Sequence, residues 1–384
     1  MTEIKRLELS AALLFALLLG CGGSGGAGIA NPDGPKITDK KPATAKAVVN
    51  QAPANWWSRT PPCAKGTTYK GGIPPKALNA WCEDAAGKKQ GPSSKWHKNG
   101  AKWKDGWYAD DKLDGLVVIF YPTGQRAEEV HFVGGKQHGS ARRWHQNGAK
   151  QAEASYEHGK ESGLIQAWYA NGALHQKVQM RAGKPIGKLQ EWHPGGKLKR
   201  EAMYSEGKLS GTSTSWYSDG KLEHKSTYVD GKLEGKLRSL HPNGALRHQA
   251  TYKNGKRIGL SREYHPNGKT KDEVTFVNGK PNGLYKSWYV NGKPHQHVTY
   301  KAGVKEGPAK VFHPNGKLAR KVSHVKDKMT GNHTGYFPTG EKLVVGPFKD
   351  GKRHGQWVYF NKKGARTKTE VYKAGKLVSV GNKR

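Results

Sequence analysis

The stretch that decides the fold runs from Tyr228 to Gly244 and reads YVDGKLEGKLRSLHPNG. It holds three glycines at fixed offsets, of which Gly235 is the second. The same pattern stands 24 residues earlier as YSEGKLSGTSTSWYSDG and 24 residues later as YKNGKRIGLSREYHPNG. A fixed period of this length is the sequence signature of a repeat architecture. The chain is therefore first of all an array.

The period continues through most of the chain without a slip. The second glycine of the motif recurs every 24 residues from 91 to 355, and the third recurs in the same way from 100 to 364. The first glycine recurs from 87 to 375 and is replaced only by Asp111 and Asp327. Twelve units in one register exclude a chance resemblance between segments.

Each unit predicts two tight turns around short strands. The first glycine follows residues such as Asp, Asn or Glu, and the third usually follows Asn or Asp, as two-residue hairpin turns prefer. About six to eight residues lie between the turns, and none of these segments has a helical period. The predicted fold is all-β: an elongated, twisted, single-layer antiparallel meander of about twelve 24-residue hairpin repeats.

The turns also predict which residues face each other. Centring the second turn on its Asn-Gly step pairs His241 with Leu246 and Gly235 with Tyr252. We expect the glycine to leave room for the ring opposite it, as in aromatic rescue of a strand glycine. The Trp position of the motif then lies on the other face, unless a bulge intervenes.

The composition fits a thin structure with a basic surface. Apolar residues make up 34% of the 384 residues, while Gly (51), Tyr (16) and Trp (12) are plentiful. The formal net charge is +36, which predicts attraction to polyanions such as acidic glycans, lipid head groups, nucleic acids or acidic proteins. The charge alone does not choose between them.

The N-terminus indicates export. Lys5 and Arg6 precede an apolar stretch, residues 9–19, which is too short for a good membrane span. The stretch ends in Leu-Leu-Gly-Cys21, which resembles the lipobox of bacterial lipoproteins, where the cysteine is lipidated. A plain secretory signal or a chance cysteine are the alternatives. The resemblance implies a signal peptide over 1–20 and, by default, an outer-membrane lipoprotein facing the periplasm or the surface.

Three further segments follow the signal peptide. Residues 21–55 are rich in Gly, Ala, Pro, Lys and Thr and predict a flexible tether. Residues 56–84 predict an N-terminal cap closed by a disulfide between Cys63 and Cys82, since an exported chain meets an oxidising compartment. Free thiols or a metal site are the alternatives, and a metal would need further ligands. Residues 85–384 form the repeat array.

The repeat, written Y-x-x-G-K-x-x-G-x-x-x-x-W-Y-x-N-G, closely resembles the MORN repeat. It looks most like the bacterial variant in YwqK-type antitoxins, and the resemblance covers 87–376. It implies an elongated, twisted antiparallel sheet of hairpins that serves as a protein-binding scaffold, a dimerisation module or a membrane-apposed linker. No catalytic residues come with the motif. The antitoxin label implies a toxin as partner.

Histidines invite a metal or catalytic interpretation. His295 and His297 lie on one face of a predicted strand and could supply half a zinc site, but no matching ligands stand nearby. The slot after the Trp position accepts His and Tyr alike, which indicates packing. Its members are His97, Tyr121, His145, Tyr169, His193, Tyr217, His241, His265, Tyr289 and His313. We expect no catalytic residue, no metal and no cofactor.

Lysines and tryptophans are the candidate binding residues. Lysine follows the first glycine in all but one unit, which gives a row of positive charges one repeat apart. A solvated turn that resists aggregation is one interpretation; a linear polycation beside exposed aromatics is the other. The candidates are Lys136, Lys160, Lys184, Lys208, Lys232, Lys256, Lys280, Trp144, Trp168, Trp192, Trp216 and Trp288.

The sequence thus predicts a lipid-anchored, non-enzymatic scaffold or binding protein of the cell envelope. Its partners are the membrane, through the N-terminal lipid, and a protein or an anionic envelope polymer. Nucleic acid is disfavoured, because an exported lipoprotein rarely meets it. The alternative is an immunity lipoprotein that neutralises a toxin. The sequence assigns no oligomeric state.

Overall fold

The computed structural model describes residues 50–382, which form one open antiparallel sheet. Each limb of a hairpin pairs with the limb that follows it in sequence, so the chain is a meander, as predicted. Within 50–382 the only helix is a short 3-10 turn, Trp56–Ser58. No helix of this region is long and apolar enough to cross a membrane.

The strands follow one another in chain order. The first half comprises β1 (Thr68–Gly71), β2 (Asn79–Glu83), β3 (Lys89–Trp96), β4 (Lys102–Ala109), β5 (Lys112–Leu113), β6 (Gly115–Phe120), β7 (Arg126–Val133), β8 (Lys136–Trp144), β9 (Lys150–Glu157), β10 (Lys160–Glu161), β11 (Gly163–Trp168), β12 (Leu174–Arg181), β13 (Lys184–Trp192), β14 (Leu198–Ser205), β15 (Lys208–Trp216) and β16 (Leu222–Val229). The second half comprises β17 (Lys232–Leu233), β18 (Gly235–Leu240), β19 (Leu246–Lys253), β20 (Lys256–Tyr264), β21 (Thr270–Val277), β22 (Lys280–Pro281), β23 (Gly283–Trp288), β24 (Pro294–Lys301), β25 (Val304–Phe312), β26 (Leu318–Val325), β27 (Lys328–Tyr336), β28 (Lys342–Lys349), β29 (Lys352–Arg353), β30 (Gly355–Phe360), β31 (Arg366–Lys373) and β32 (Lys376–Asn382).

The turn at the motif's first glycine is the two-residue turn that the sequence predicts. Lys253 of β19 pairs with Lys256 of β20, and the two residues between them, Asn254 and Gly255, have φ of 50° and 77°. Positive φ at both central residues defines a type I′ turn, whose twist matches that of the flanking strands.

The two aspartates that replace this glycine keep the same backbone. Asp111 and Asp327 have φ of 63° and 66°. Each carboxylate accepts a hydrogen bond at 2.8 Å from the backbone N–H of a residue in the preceding repeat, Lys89 and Lys305 respectively. This added bond offsets the cost of a side chain in the left-handed region.

The turn at the third glycine differs from the prediction. The N–H of His241 donates to the carbonyl of Ala245, and the N–H of Gly244 donates to the carbonyl of His241, both at 2.8 Å. The loop therefore holds three residues, and Leu240, not His241, pairs with Leu246. Proline's fixed φ suits the first central position of a type I turn, and a left-handed glycine then completes the loop. The predicted pairing of His241 with Leu246 was wrong.

The second glycine bends its strand. All twelve glycines at this position have positive φ, 78° at Gly235. In the next repeat, residues 259–261 of β20 lie opposite the single residue Ala250 of β19, so a β-bulge interrupts the pairing of β20 at the second glycine. The predicted pair of Gly235 and Tyr252 is present, but a Cβ on Gly235 would meet no atom within 4 Å. The backbone conformation, not room for the ring, requires glycine there.

The core is a row of small and aliphatic side chains, one per strand, that runs across the sheet. Its members pair directly with one another, as Ile165 does with Val178 and Leu189 with Ala202. Tyr156 and Tyr204 pack against the row. Buried residues of the row are Val117, Val130, Ala141, Ala154, Ile165, Val178, Leu189, Ala202, Ser213, Ser226, Leu237, Ala250, Ser261, Val298, Ala309 and Val322.

The N-terminal cap packs as one cluster. Cys63 and Cys82 form a disulfide with a Cα–Cα distance of 5.8 Å. Trp56 is buried beside the disulfide and beside Trp96, and its indole N–H donates to the hydroxyl of Ser94 at 3.0 Å. The cap therefore closes the first hairpin of the array.

Residues at the end of the predicted tether contact the second hairpin. The carbonyl of Asn50 accepts the N–H of Leu116 at 2.8 Å, and Gln51 forms a parallel bridge with Leu116. The Asn50 amide donates to the carboxylate of Asp114 at 3.3 Å, and Ala52 is buried in the cap cluster. The predicted signal peptide and residues 21–49 of the predicted tether lie outside the described residues.

A substitution tests the conformational role of the second glycine. Gly235→Ala should lower the free energy of unfolding by about 1–2 kcal/mol, because alanine resists the left-handed region. Urea denaturation measures this loss. Gly195→Ala is the control: Gly195 lacks a positive φ, and a Cβ there meets nothing within 4 Å. Equal stabilities of the two variants would contradict the conformational explanation.

Candidate functional site

The turns at one end of the strands present the lysines that follow the first glycine of each repeat, and this row of turns is called the lysine edge. This lysine edge consists of Lys136, Lys160, Lys184, Lys208, Lys232, Lys256 and Lys280. All seven are exposed, and none has an ion pair within residues 50–382. Each stands at the start of a strand, directly after a type I′ turn.

Contacts between neighbouring turns fix the spacing of the lysine edge. The N–H of Gly207 donates to the carbonyl of Pro185 in the preceding repeat at 3.0 Å. A Cβ on Gly207 would lie 3.4 Å from the Cβ of Lys184, so the stem of each lysine rests on the glycine of the next turn. Two strand spacings, about 9.6 Å, separate successive lysines. This is about one Debye length at 0.1 M salt, so the charges repel each other only weakly.

The candidate tryptophans lie at the other end of the same strands. Strand β15, for example, begins at Lys208 and ends at Trp216, a separation of about 25 Å in an extended strand. The structure therefore does not bring the lysine edge and the tryptophans together. Each candidate tryptophan is half-buried, and one already binds a lysine of its own sheet: the Lys150 ammonium lies 4.9 Å from the ring centroid of Trp168. These tryptophans are Trp144, Trp168, Trp192, Trp216 and Trp288.

The slot after the tryptophan links each repeat to the next. Nε2 of His193 lies 2.9 Å from the carbonyl oxygen of Trp216, and the Tyr217 hydroxyl donates to the carbonyl of Leu240 at 2.7 Å. Because a carbonyl only accepts, Nε2 of the histidine carries the hydrogen. The same contact is made by His97, Tyr121, His145, Tyr169, His241, His265, Tyr289 and His313.

Sequence reasoning took this slot for packing and missed the hydrogen bond. The signal was present, because His and Tyr are the aromatic side chains that place a donor at the far end of a ring, at a similar reach. Phe337 and Asn361 occupy the slot in the last two complete units. The slot is therefore structural.

A shallow cleft of about 420 Å³ opens beside this slot in the middle of the array. His193, Arg200, Trp216 and Glu223 contribute to its lining. The hydroxyl of Ser215, also in the lining, donates to the Glu223 carboxylate at 3.2 Å and so is not directed at a histidine base. The cleft offers mixed charges and no activated nucleophile.

Several histidines outside this slot have a lowered pKa. Burial lowers the pKa of His224 and of His248, and each ring nitrogen Nε2 contacts a serine hydroxyl, Ser226 at 2.9 Å and Ser261 at 3.2 Å. Burial and two neighbouring lysines also lower the pKa of His297. Within residues 50–382 no three His, Cys, Asp or Glu side chains cluster to hold a metal ion.

The hairpin of β30 and β31 places a charged network in the core row, beside the buried Trp357. Glu370 occupies the core row and accepts hydrogen bonds from Lys368 and Tyr359, both at 2.5 Å, which hold the pKa of its carboxyl at about 2. The Arg353 guanidinium stacks 4.3 Å from the ring of Trp357. This satisfied cluster lies at the C-terminal end of the described sheet. The predicted lipidation site, Cys21, lies outside the described residues.

These features define a β-repeat protein in which stacked hairpins carry a basic edge. The MORN repeat variant is found seven times in the chain. The matched segments are residues 113–133, 185–206, 209–230, 233–254, 257–278, 281–302 and 305–327. The chain is therefore a β-repeat protein that carries this repeat.

Other comparisons add little. None of the curated proteins matches the chain. The crystal structure of TcdB2-TccC3 is 11% identical over 79% of this chain and 20% of that chain, with a TM-score of 0.16. The TcdB2-TccC3-Cdc42 structure is 10% identical over 79% and 22%, also with a TM-score of 0.16. The chain spans about a fifth of these structures, and such scores carry no argument about its function.

The donor role of the slot is open to a direct test. His241→Phe should lower the free energy of unfolding by about 1 kcal/mol, because the carbonyl of Tyr264 loses its donor. His241→Tyr should be nearly neutral, since tyrosine makes the same bond in four other repeats. Thermal unfolding of the two variants gives the comparison. If the Phe and Tyr variants were equally stable, the slot would be packing alone.

Proposed function

We propose that the protein is a non-enzymatic scaffold that binds an anionic partner along its lysine edge, either an acidic polymer of the cell envelope or an acidic protein face. The supporting observation is the row of seven exposed lysines, which have no ion pairs with other described residues and are held at one repeat spacing by stacked turns. A row of cations at fixed spacing suits a linear polyanion better than a small ligand.

Burial holds two tyrosines and two histidines of the array in their uncharged forms. Burial raises the pKa of Tyr156 and Tyr285 to about 12, and it lowers the pKa of His224 and His248. These shifts keep the tyrosines protonated and the histidines neutral near pH 7.

Charge reversal on the lysine edge is the decisive experiment. The triple variant Lys184→Glu, Lys208→Glu, Lys232→Glu should bind heparin, a model polyanion, at least tenfold more weakly at low salt, because three adjacent contacts become repulsive. Isothermal titration at two salt concentrations measures the loss. We expect wild-type affinity to fall steeply with salt.

A matched variant separates the edge from net charge. Lys177, Lys199 and Lys225 lie in the same part of the array, are exposed and have no ion pairs within the described sheet. Changing these three to Glu alters the net charge equally but leaves the lysine edge intact. An equal loss of affinity in this control would refute the edge as the binding surface. Salt-independent capture of one stoichiometric protein partner would instead favour the immunity role.

We further propose that Cys21 is lipidated and that the protein is an exported lipoprotein tethered at the envelope. The support is the apolar stretch that ends in Leu-Leu-Gly-Cys21. Cys21→Ala should move the protein from the membrane fraction to the soluble fraction of bacterial cells expressing the full chain. Immunoblotting of both fractions decides, and Cys21→Ala protein that stayed in the membrane fraction would refute the lipid anchor.

A further inference from the structure

The chain itself shows how the sheet binds an extended segment. At the second hairpin, Asn50–Ala52 lies against the bulge formed by Gly115 and Leu116. The carbonyl of Asn50 takes the N–H of Leu116 at 2.8 Å and stands 2.0 Å from where a Cβ of Gly115 would be. The glycine is thus the reason why a backbone can approach so closely.

The backbone hydrogen bonds between strands do not require the N–H of Leu116, which instead donates to Asn50. In two other repeats the residue after the second glycine is a proline, Pro92 or Pro308, which has no N–H. Their strand registers match that of Leu116, since all three pair with the residue before the aromatic on the following strand. The position therefore directs its N–H, where it has one, away from the neighbouring ladder.

The hairpin at Gly283 reproduces the second hairpin most closely. Its limb is likewise divided, into β22 and β23, and Gly283 has φ of 100° against 114° at Gly115. Asn282 stands where Asp114 stands in the second hairpin. Its side-chain oxygen accepts the N–H of Ala302 at 3.0 Å, and Asp114 in the same way accepts the N–H of Gly134.

This second bulge is open on the side that Asn50 occupies in the first. A Cβ on Gly283 would meet no atom within 4 Å. Leu284, the counterpart of Leu116, is 47% exposed, whereas Leu116 is half-buried under the bound segment. An extended backbone can therefore reach the Leu284 N–H without displacing protein atoms.

The positive charges near Leu284 favour a partner with acidic side chains. Lys286 shares the face of Leu284, because the two are two residues apart on one strand. It lies opposite His297, which lies opposite Lys310, and Lys310 in turn lies opposite Lys321. None of these lysines has an ion pair in the described part of the chain. Like charges directly opposite each other destabilise a sheet, and an acidic strand laid across them would relieve this.

We propose that the bulge at Asn282–Leu284 binds an extended, acidic segment of a partner protein by backbone pairing, as the second hairpin binds Asn50–Ala52. A carbonyl of the partner accepts the Leu284 N–H, the Asn282 amide donates to a partner carboxylate or carbonyl, and Lys286 and Lys310 pair with its acidic side chains. The tail of a second copy fits poorly, because residues 22–49 hold four lysines and only two aspartates. The inference deepens the proposed binding role and rests on it.

The test uses the full chain and a fluorescein-labelled peptide of alternating Asp and Val residues, followed by fluorescence anisotropy. Leu284→Pro removes the N–H together with the leucine side chain and should weaken peptide binding about tenfold. The fold should tolerate it, because the glycines before Pro92 and Pro308 have φ of 97° and 103°, close to that of Gly283. Leu284→Ala keeps the N–H and should bind within about threefold of wild type.

Two further measurements test whether the peptide binds at this bulge. Lys286→Glu should weaken the Asp-Val peptide and favour a Lys-Val peptide, and the Leu284 amide should gain protection from hydrogen exchange when the Asp-Val peptide is added. Heparin binding should not change in Leu284→Pro, so failure at this site is distinct from failure of the lysine edge. The proposal is overturned if Leu284→Pro binds the peptide like wild type, or if only anionic phosphatidylglycerol vesicles are bound.

Discussion

The described residues form a sheet of one layer, so contacts inside the sheet must hold the repeats together. Hydrogen bonds between the turns of neighbouring repeats do this at both ends of the strands. At the lysine edge the N–H of Gly231 donates to the carbonyl of Leu209 at 2.7 Å. At the other edge His193 and Tyr217 donate to carbonyls 23 residues ahead. One inserted residue would break both sets of bonds together, which explains a period that never slips.

The same constraint accounts for the thin core. Each strand contributes one residue to the central row, and along most of the array that residue is small or aliphatic. Serines such as Ser213 and Ser226 replace aliphatics in the middle of the array. Stability therefore comes from nearest-neighbour contacts repeated many times rather than from one large core. Within the described sheet, the disulfide-linked cap packs against the first hairpin, and the Glu370 network lies in the hairpin of β30 and β31.

Much of the fold could be predicted from the sequence, because its determinants are local. The period, the meander, the type I′ turn at Gly255 and the pair of Gly235 with Tyr252 all follow from turn chemistry and alternation. The three-residue loop at Gly244 could not be separated from a two-residue turn by its Asn-Gly step, because both accept it. The row of lysines could be read directly from the sequence. Counting residues along β15 places Trp216 at the opposite end of the strand from Lys208. The contact of Asn50 with Leu116 joins segments far apart in sequence, and no local pattern indicates it.

The bulge shows how a uniform array can acquire individual sites. The second glycine of each repeat has positive φ, from 64° at Gly259 to 114° at Gly115, so each repeat bends its strand at this point. The next residue decides its use: Pro92 and Pro308 have no N–H to offer, Leu116 is taken by the chain itself, and Leu284 is exposed. Because that residue contributes little to the core, it can vary without loss of the fold. Specificity can therefore change one repeat at a time, while the glycines and turns that maintain the sheet stay fixed.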